Sequence, residues 1–285
     1  MGDSLLIVAY KPPFISSNAY LSYLKRHFGI SKAGYLGTLD PFAKGTLVVG
    51  FGSYTRLFPH LQKTPKIYRA TLWLGVKSAS LDIENIESVS IPQVYDESDI
   101  VSAITSIRGK ITYIPPKFSA KHIDGKRAYE LARTGQDFTL KKTQMDIYSM
   151  KLLSYRHPFV HFEVSVSEGG YVRSIGEMIA YRLGTQGALS SLERVSEGAM
   201  SVESHQGFKI LNPLEYLPYP QLDNMSLYAQ DLYNGKKITL KNIQKGKYIV
   251  CFDEFFSIIK VCENGCIEYI LNRIEYVNSL TQTRR

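Results

Sequence analysis

Cysteine is scarce in this 285-residue sequence: Cys251, Cys262 and Cys266 are the whole supply, and all lie near the C-terminus. No Cys-x-x-Cys pair occurs, which argues against a structural zinc site. Cys262 and Cys266 flank Glu-Asn-Gly, a hairpin signal, so each reads as a small apolar strand residue. A reduced, cytoplasmic protein is expected. Histidine is sparse too, with six scattered residues. His157 and His161 stand four apart in a strand pattern with no third ligand near them, so no metal site is expected. Gly50-Phe-Gly52 lacks the Lys-Thr pair of a phosphate loop, and no Gly-x-Ser-x-Gly elbow of a serine hydrolase occurs. No apolar run approaches the roughly 18 residues that cross a bilayer. Leu5–Ala9 is too short and lacks the basic start of a signal peptide. Met1-Gly2 is followed by Leu6 where a myristoylation signal wants Ser or Thr. No membrane partner is expected.

Acid is the other deficit. Lys and Arg outnumber Asp and Glu by 34 to 26, a net charge of +8, which favours a polyanionic partner. Only one tryptophan is present, but there are twenty tyrosines and thirteen phenylalanines. Aromatic faces beside basic groups suit unstacked nucleic-acid bases.

Periodicity organises the chain. Leu5–Tyr10 reads as a strand ended by Lys11-Pro12-Pro13, and Ser16-Ser17-Asn18 offers caps for a helix carrying Tyr20, Leu24 and Phe28. From Lys66 to Leu74 residues alternate: Tyr68, Ala70, Leu72 and Leu74 share one face, Arg69, Thr71 and Trp73 the other. Ile100, Ala103, Ile104 and Ile107 fit a helix that Gly109 is expected to stop. Val160, Phe162, Val164 and Val166 mark another half-buried strand, broken by Gly169-Gly170, and a helix is expected from about Arg173 to Leu183. Between these lies a basic stretch from Lys117 to Lys142 with seven basic and three acidic residues, half of the net charge in under a tenth of the chain. Poor in core residues, it reads either as a surface-lying binding element or as a solvated charged loop. Beyond about residue 207, Pro213, Pro218 and Pro220 make a linker-like stretch. Short strands expected at 237–240, 248–251, 257–261 and 266–270 then suggest a small β-barrel.

One acid stands out. Gly34-Tyr-Leu-Gly-Thr-Leu-Asp40-Pro-Phe-Ala-Lys-Gly45 puts a carboxylate inside a glycine-punctuated turn that leads into an apolar strand. Asp40 is either a turn cap accepting backbone N–H bonds or a reagent, and turn chemistry alone favours the cap. Two segments weigh on the other side. Tyr68 opens the apolar face of its strand, and Arg173 is the first charged residue after a di-glycine turn. An arginine against Asp40 would keep the carboxylate ionised well below neutral pH.

These motifs, in this order, resemble the bacterial tRNA pseudouridine-55 synthases, the TruB family. The turn around Asp40 resembles the family's nucleophile turn, and Lys11-Pro-Pro-Phe-Ile-Ser-Ser-Asn its N-terminal motif. Ile114-Pro-Pro-Lys-Phe-Ser-Ala-Lys and Gly125-Lys-Arg-Ala-Tyr-Glu-Leu-Ala-Arg resemble its RNA-gripping thumb. Gly169-Gly-Tyr-Val-Arg-Ser-Ile resembles its arginine motif, and Leu189-Ser-Ser-Leu-Glu-Arg-Val the segment after it. The likeness covers about residues 5 to 200; the tail is similar more loosely, to a PUA-like RNA-binding domain.

The resemblance implies an α/β (α+β) pseudouridine-synthase fold, a mixed and largely antiparallel sheet flanked by helices, with a small C-terminal β-barrel-like domain. Residues 1–206 would form the catalytic domain, with the thumb at about 115–143, and 207–285 the linker and small RNA-binding domain. It implies that Asp40 is the essential catalytic residue for isomerising uridine 55 in the T-loop of tRNA, that Tyr68 stacks on the extruded uracil, and that Arg173 pairs with Asp40. It further implies that Tyr171 and Leu192 line the uridine pocket, that Tyr35 stacks in the refolded T-loop, and that Lys11 supports the pocket floor. Lys117, Lys121, Lys126 and Arg127 of the thumb would hold the T-arm. No cofactor is implied, and a monomer is expected. Three positions depart from the family: Tyr35 replaces a usual histidine, Glu168 a usual basic residue, and Ser78-Ala-Ser-Leu-Asp82 is a degraded form of a Thr-Asp-rich stretch. Two other activities use the same residues. A tRNA-binding folding chaperone would survive Asp40→Asn, and a nucleoside hydrolase would release free uracil.

Overall fold

A computed structural model describes residues 4–119, 121–123, 125–136 and 138–276. Met1-Gly2, Asp124 and Asp137 of the thumb, and the end of the C-terminal unit after residue 276 lie outside the described residues. The chain opens with strand β1 (Leu5–Lys11), helix α1 (Ser17–Phe28) and strands β2 (Ala33–Leu36) and β3 (Lys44–Phe51). Two prolines end β1, because proline offers a ladder no N–H. Ser16 caps α1 by accepting a hydrogen bond from the Ala19 N–H at 3.1 Å, and Gly29, at φ +68, closes it. Strand β4 (Lys66–Leu74) buries every second residue, Lys66 included.

Strands β5 (Val76–Ser78) and β6 (Ile86–Val89) form a side hairpin. Helix α2 (Glu97–Thr105) buries Ile100, Ala103 and Ile104 as their spacing requires. It ends at Thr105, before Gly109; that glycine, at φ +79, instead begins β7 (Gly109–Tyr113). The thumb carries a two-residue hairpin, β8 (His122–Ile123) and β9 (Lys126–Arg127), and the short helix α3 (Ala128–Arg133). Then follow β10 (Thr143–Arg156), β11 (Phe159–Val166), α4 (Val172–Arg182), β12 (Gly187–Glu197), β13 (Met200–Ser201) and β14 (Phe208–Ile210).

Ten strands form one sheet, in the order β14-β1-β3-β12-β4-β11-β10-β7, with β2 beside β3 and β13 beside β12. The fold is therefore a mixed α/β sheet. Its pairs are antiparallel except β3 with β12, which run parallel through Lys44↔Glu193 and Gly45↔Arg194. Because β14 pairs with β1, the large sheet continues past residue 206. Helices α2 and α4 pack on one face, over Leu72, Phe162 and Val164 among others. Each such side chain, fully buried, contributes roughly 1.5–3 kcal/mol. Helix α1 covers Ile7, Leu47 and Val49.

The C-terminal unit holds helix α5 (Ala229–Tyr233) and three antiparallel strands, β15 (Gly246–Cys251), β16 (Phe255–Val261) and β17 (Ile267–Glu275). The strand expected at 237–240 contributes only a single bridge, Thr239↔Cys266. Asn242 turns the backbone at φ +64 just beyond it, so the run ends before a ladder develops. Phe256, Ile258 and Ile274 share a core with Val8 and Val48 of the large sheet and with Leu57, just after β3.

This topology creates one opening. Strand β3 pairs with β2 along Val48–Phe51 but with β12 only at Lys44 and Gly45. The loop from 37 to 43 leaves the sheet where those two partners part. Gly45, at φ +106, makes the junction possible: a Cβ there would lie 2.4 Å from the Arg194 carbonyl oxygen.

Candidate active site

Asp40 sits at the crest of the 37–43 loop. The side chain of Ser17, on α1, fixes the loop from behind, accepting from Leu39 N–H at 3.0 Å and donating to Leu39 O at 2.8 Å. Phe14 N–H donates to Pro41 O at 2.7 Å. Lys11, fully buried, spends its ammonium on three carbonyls: Ile15 at 2.6 Å, Pro12 at 3.0 Å and Pro41 at 3.3 Å. Burial pulls its pKa down to about 8. Lys11 is thus a strut behind the loop, outside the cleft wall.

Arg173 enters from the first turn of α4. Its Nε holds Asp40 Oδ2 at 2.9 Å, and Nη1 holds Asp82 Oδ2 at 3.1 Å. Nη1 also donates to Ser80 O, and Nη2 to Phe118 O, both at 2.8 Å. The planar fork satisfies four acceptors at once, a geometry no lysine can copy. Phe118 belongs to the thumb, so the same guanidinium ties the thumb to the acid. Arg173 is 3 % exposed while the Asp40 side chain keeps 29 %: the acid faces the opening and its partner lies beneath.

The electrostatics correct one expectation. Burial pushes the Asp40 carboxyl above its ordinary range; Arg173 and Lys11 pull it down, Asp82 adds repulsion, and the balance lies upward. Arginine contact alone therefore does not hold Asp40 at an unusually low pKa, because burial outweighs it and Asp82 adds repulsion.

A cleft of about 320 Å³ opens over Asp40, within the range of about 300–1,000 Å³ typical of small-ligand sites. Tyr68 from β4, Leu192 from β12, and Tyr171 and Arg173 at the start of α4 line it. Lys121 of the thumb reaches the same cleft, whereas Lys117, Lys126 and Arg127 are exposed. Tyr35 stands outside it on β2, where its hydroxyl donates to Asn18 Oδ1 at 3.0 Å. At the rim, Glu168 pairs with Lys63 at 2.7 Å, so a cation stands beside the departed basic position.

Four charged side chains were given no role in the sequence reading. Asp82 anchors the far side of Arg173. Lys66, Arg194 and Glu197 form a buried cluster beneath Gly37, with Lys66 to Glu197 at 2.6 Å and Arg194 to Glu197 at 3.4 Å. A signal existed: Lys66 is in phase with Tyr68 and Ala70, and Arg194 is two residues from Leu192 on its strand. A cation in step with a buried face must find a partner inside. Among the described residues no group of three or more His, Cys, Asp or Glu side chains is placed to hold a metal ion, and no helix is long and apolar enough to cross a membrane.

Comparison with known proteins extends this geometry. Residues 25–172 match the profile described as TruB family pseudouridylate synthase, N terminal domain. The chain is 69 % identical over 284 residues to tRNA pseudouridine synthase B of Helicobacter hepaticus, covering 100 % of both chains. It is 47 % identical over 273 residues to tRNA pseudouridine synthase B of Campylobacter curvus, covering 95 % of this chain and 98 % of the relative. A chain from a solved H/ACA RNP bound to a substrate RNA containing 2'-deoxyuridine superposes with a TM-score of 0.66 at 18 % identity, covering 96 % of this chain and 86 % of that one. A chain of a solved Cbf5-Nop10-Gar1 complex gives 0.64 at 19 %, covering 96 % and 84 %. At that identity the likeness concerns the fold.

Proposed function

The chain belongs to the TruB family of pseudouridylate synthases, and on that premise we propose how its own residues convert uridine to pseudouridine in tRNA. The enzyme is an isomerase acting on a tRNA uridine. The glycosidic N1–C1′ bond breaks, the uracil turns, C5 bonds to C1′, and the C5 proton is lost while N1 gains one. Nothing is oxidised and no group is donated.

The observation that carries the reading is the Asp40–Arg173 pair at 2.9 Å on the floor of a cleft walled by Tyr68. A uridine in a folded loop is stacked, and its glycosidic bond is out of reach. Extruding it costs a few kcal/mol, which stacking on Tyr68 offsets by about 1–3 kcal/mol. Arg173 occupies Oδ2 and leaves the other oxygen of Asp40 to act on the nucleoside. Leu192 and Tyr171 close the apolar wall and keep water from the reacting carbons. Glu168, Lys63 and Lys121 ring the mouth.

The finer assignment is uridine 55 in the T-loop. Lys117, Lys121, Lys126 and Arg127 of the thumb contact the T-arm backbone, Tyr35 stacks on loop bases from the outer side of the catalytic turn, and the C-terminal unit meets the tRNA further out. The enzyme works as a cytoplasmic monomer. The test is incubation of the purified protein with an unmodified T-arm hairpin, followed by mapping of pseudouridine. Wild type should modify one uridine, the one corresponding to position 55, and Asp40→Asn should make none while binding the hairpin as before. Pseudouridine from Asp40→Asn would remove Asp40 from the chemistry, and modification elsewhere would remove the T-loop assignment.

A further inference from the structure

Arg194 is 1 % exposed and lies on β12, far in sequence from the catalytic turn. Its Nη2 donates to Gly37 O at 3.0 Å and its Nε to Thr46 O at 2.8 Å. Gly37 and Thr46 bracket the loop that carries Asp40, so one guanidinium grips both of its ends. Thr46 Oγ1 returns a bond to Val195 O at 2.8 Å on the same strand. Glu197, with no exposed side-chain surface, meets Arg194 at 3.4 Å and Lys66 at 2.6 Å. Gly37, at φ +65, admits the cluster: a Cβ there would stand 2.9 Å from Lys66 Nζ, 3.0 Å from Glu197 Oε1 and 3.1 Å from Arg194 Nη1.

From this geometry we infer that Arg194 is a positioning residue for the catalytic aspartate, a staple across the base of its loop, with Glu197 and Lys66 as its buried support. The inference rests on the reading of Asp40 as the catalytic acid. Four anchors hold the loop at intervals: Arg194 at Gly37, Ser17 at Leu39, Lys11 and Phe14 at Pro41, and Arg194 again at Thr46. Arg173 fixes the carboxylate itself, but a side chain held at its tip still moves with its backbone. Arg194 ties the entry of the loop to its exit. Buried ion groups are costly unless every member is paired. A cluster of two cations and one acid under a single glycine is a poor device for stability, and its geometry is spent on the loop instead.

The wall position gives Arg194 a second effect. It lines the cleft and adds positive potential at Asp40, so it acts through both geometry and charge. Arg194→Lys keeps the charge and loses the two-ended grip. Arg194→Gln loses both.

The experiment is single-turnover pseudouridine formation on a T-arm hairpin as a function of pH, with hairpin Kd measured separately, for Arg194→Lys, Arg194→Gln, Gly37→Ala and Asp40→Asn. A shift of the order of 1 Å in a reacting group costs roughly 10²-fold in rate. Arg194→Lys should therefore lose about 10²-fold in single-turnover rate, with Kd within about threefold and the acid limb of the pH profile where wild type has it. In Arg194→Gln the acid limb should move to higher pH, since a cation near Asp40 is gone. A folded Arg194→Lys enzyme with a wild-type rate, or with a rate loss matched by a Kd loss, overturns the staple. Should that variant fail to fold, Gly37→Ala decides by the same criterion, because the three atoms nearest its added methyl all belong to this cluster. An active Asp40→Asn refutes the reading of Asp40 itself; an inactive Asp40→Asn beside an unimpaired Arg194→Lys refutes only the staple.

Discussion

Removing the charge of Asp82 should move stability and acidity in opposite directions. Asp82 is fully enclosed, and its carboxylate accepts from Ser80 Oγ, Glu84 N–H and Arg173 Nη1. Asp82→Asn keeps the shape and one acceptor oxygen, so the bonds from Ser80 and Glu84 can survive. The oxygen facing Arg173 becomes an N–H₂ group opposed to a donor. One charge-assisted bond is lost, about 1.5–3 kcal/mol, and urea denaturation should record a loss of that size. The active site responds with the other sign. Asp82 repels the Asp40 carboxylate and shares its guanidinium. Without that charge, Asp40 ionises more readily. A carboxyl raised by burial must lose its proton before it can act, so activity falls on the acid side, and Asp82→Asn should shift that limb to lower pH. The assay is single-turnover product formation across the acid range, with folded protein confirmed at each pH. An acid limb that stays put or moves upward refutes the claim that Arg173 is divided between two acids.

Lys11 sets the opposite limb. Its pKa of about 8 lies below the unfolded value, so the folded state sheds this proton first as pH rises. Above pH 8 the ammonium has one N–H fewer for three carbonyls, and the rate should decline from there although global stability does not fall; Lys11→Arg should abolish or displace that limb. Gly45→Ala should cost about 2–4 kcal/mol in urea denaturation, because its Cβ would strike the Arg194 carbonyl at 2.4 Å in a left-handed backbone. Neutralising Lys117, Lys126 and Arg127 together should weaken tRNA binding and reduce the slope of log K against log salt by about 2 to 3, roughly 0.7 to 0.9 per lost phosphate contact; a slope equal to wild type removes these residues from the interface.

The parts of this molecule legible in its sequence are those set by local rules. Alternation over 66–74 and 160–166, the Ser16 cap and the i, i+3, i+4 spacing of Ile100, Ala103 and Ile104 depend on neighbours a few residues away. The residues of the cleft were also legible, because Asp40, Tyr68 and Arg173 stand in a recognisable order of motifs and meet at one cleft. Long-range pairing was not. That β14 adds to β1, or that Thr239 makes one bridge in place of a strand, depends on partners distant in the chain. Charged residues with buried partners were the hardest. Arg194 and Glu197 look like surface groups until the register of β12 against β4 brings Lys66 beside them. Asp82 stood only as a remnant of a weaker motif, and its partner Arg173 lies 91 residues on.

The charges buried around the cleft explain why such a site tolerates its own acid. Lys11, Lys66, Arg173 and Arg194 face Asp40, Asp82 and Glu197, leaving one positive charge in excess, while Lys121 and Glu168 at the mouth offset each other. An isolated carboxylate enclosed to this degree would neutralise by taking up a proton. Here burial raises the Asp40 pKa and the surrounding cations limit the rise. The result is a carboxyl whose pKa stands above its ordinary range, with Arg173 and Lys11 opposing the rise. Under the proposed function, a phosphate would meet this positive field while an uncharged base met Tyr68 and Leu192. Stacking needs the apolar wall and ionisation needs the cations. The fold supplies both from the same two strands, with Lys66 two residues from Tyr68 on β4 and Arg194 two residues from Leu192 on β12.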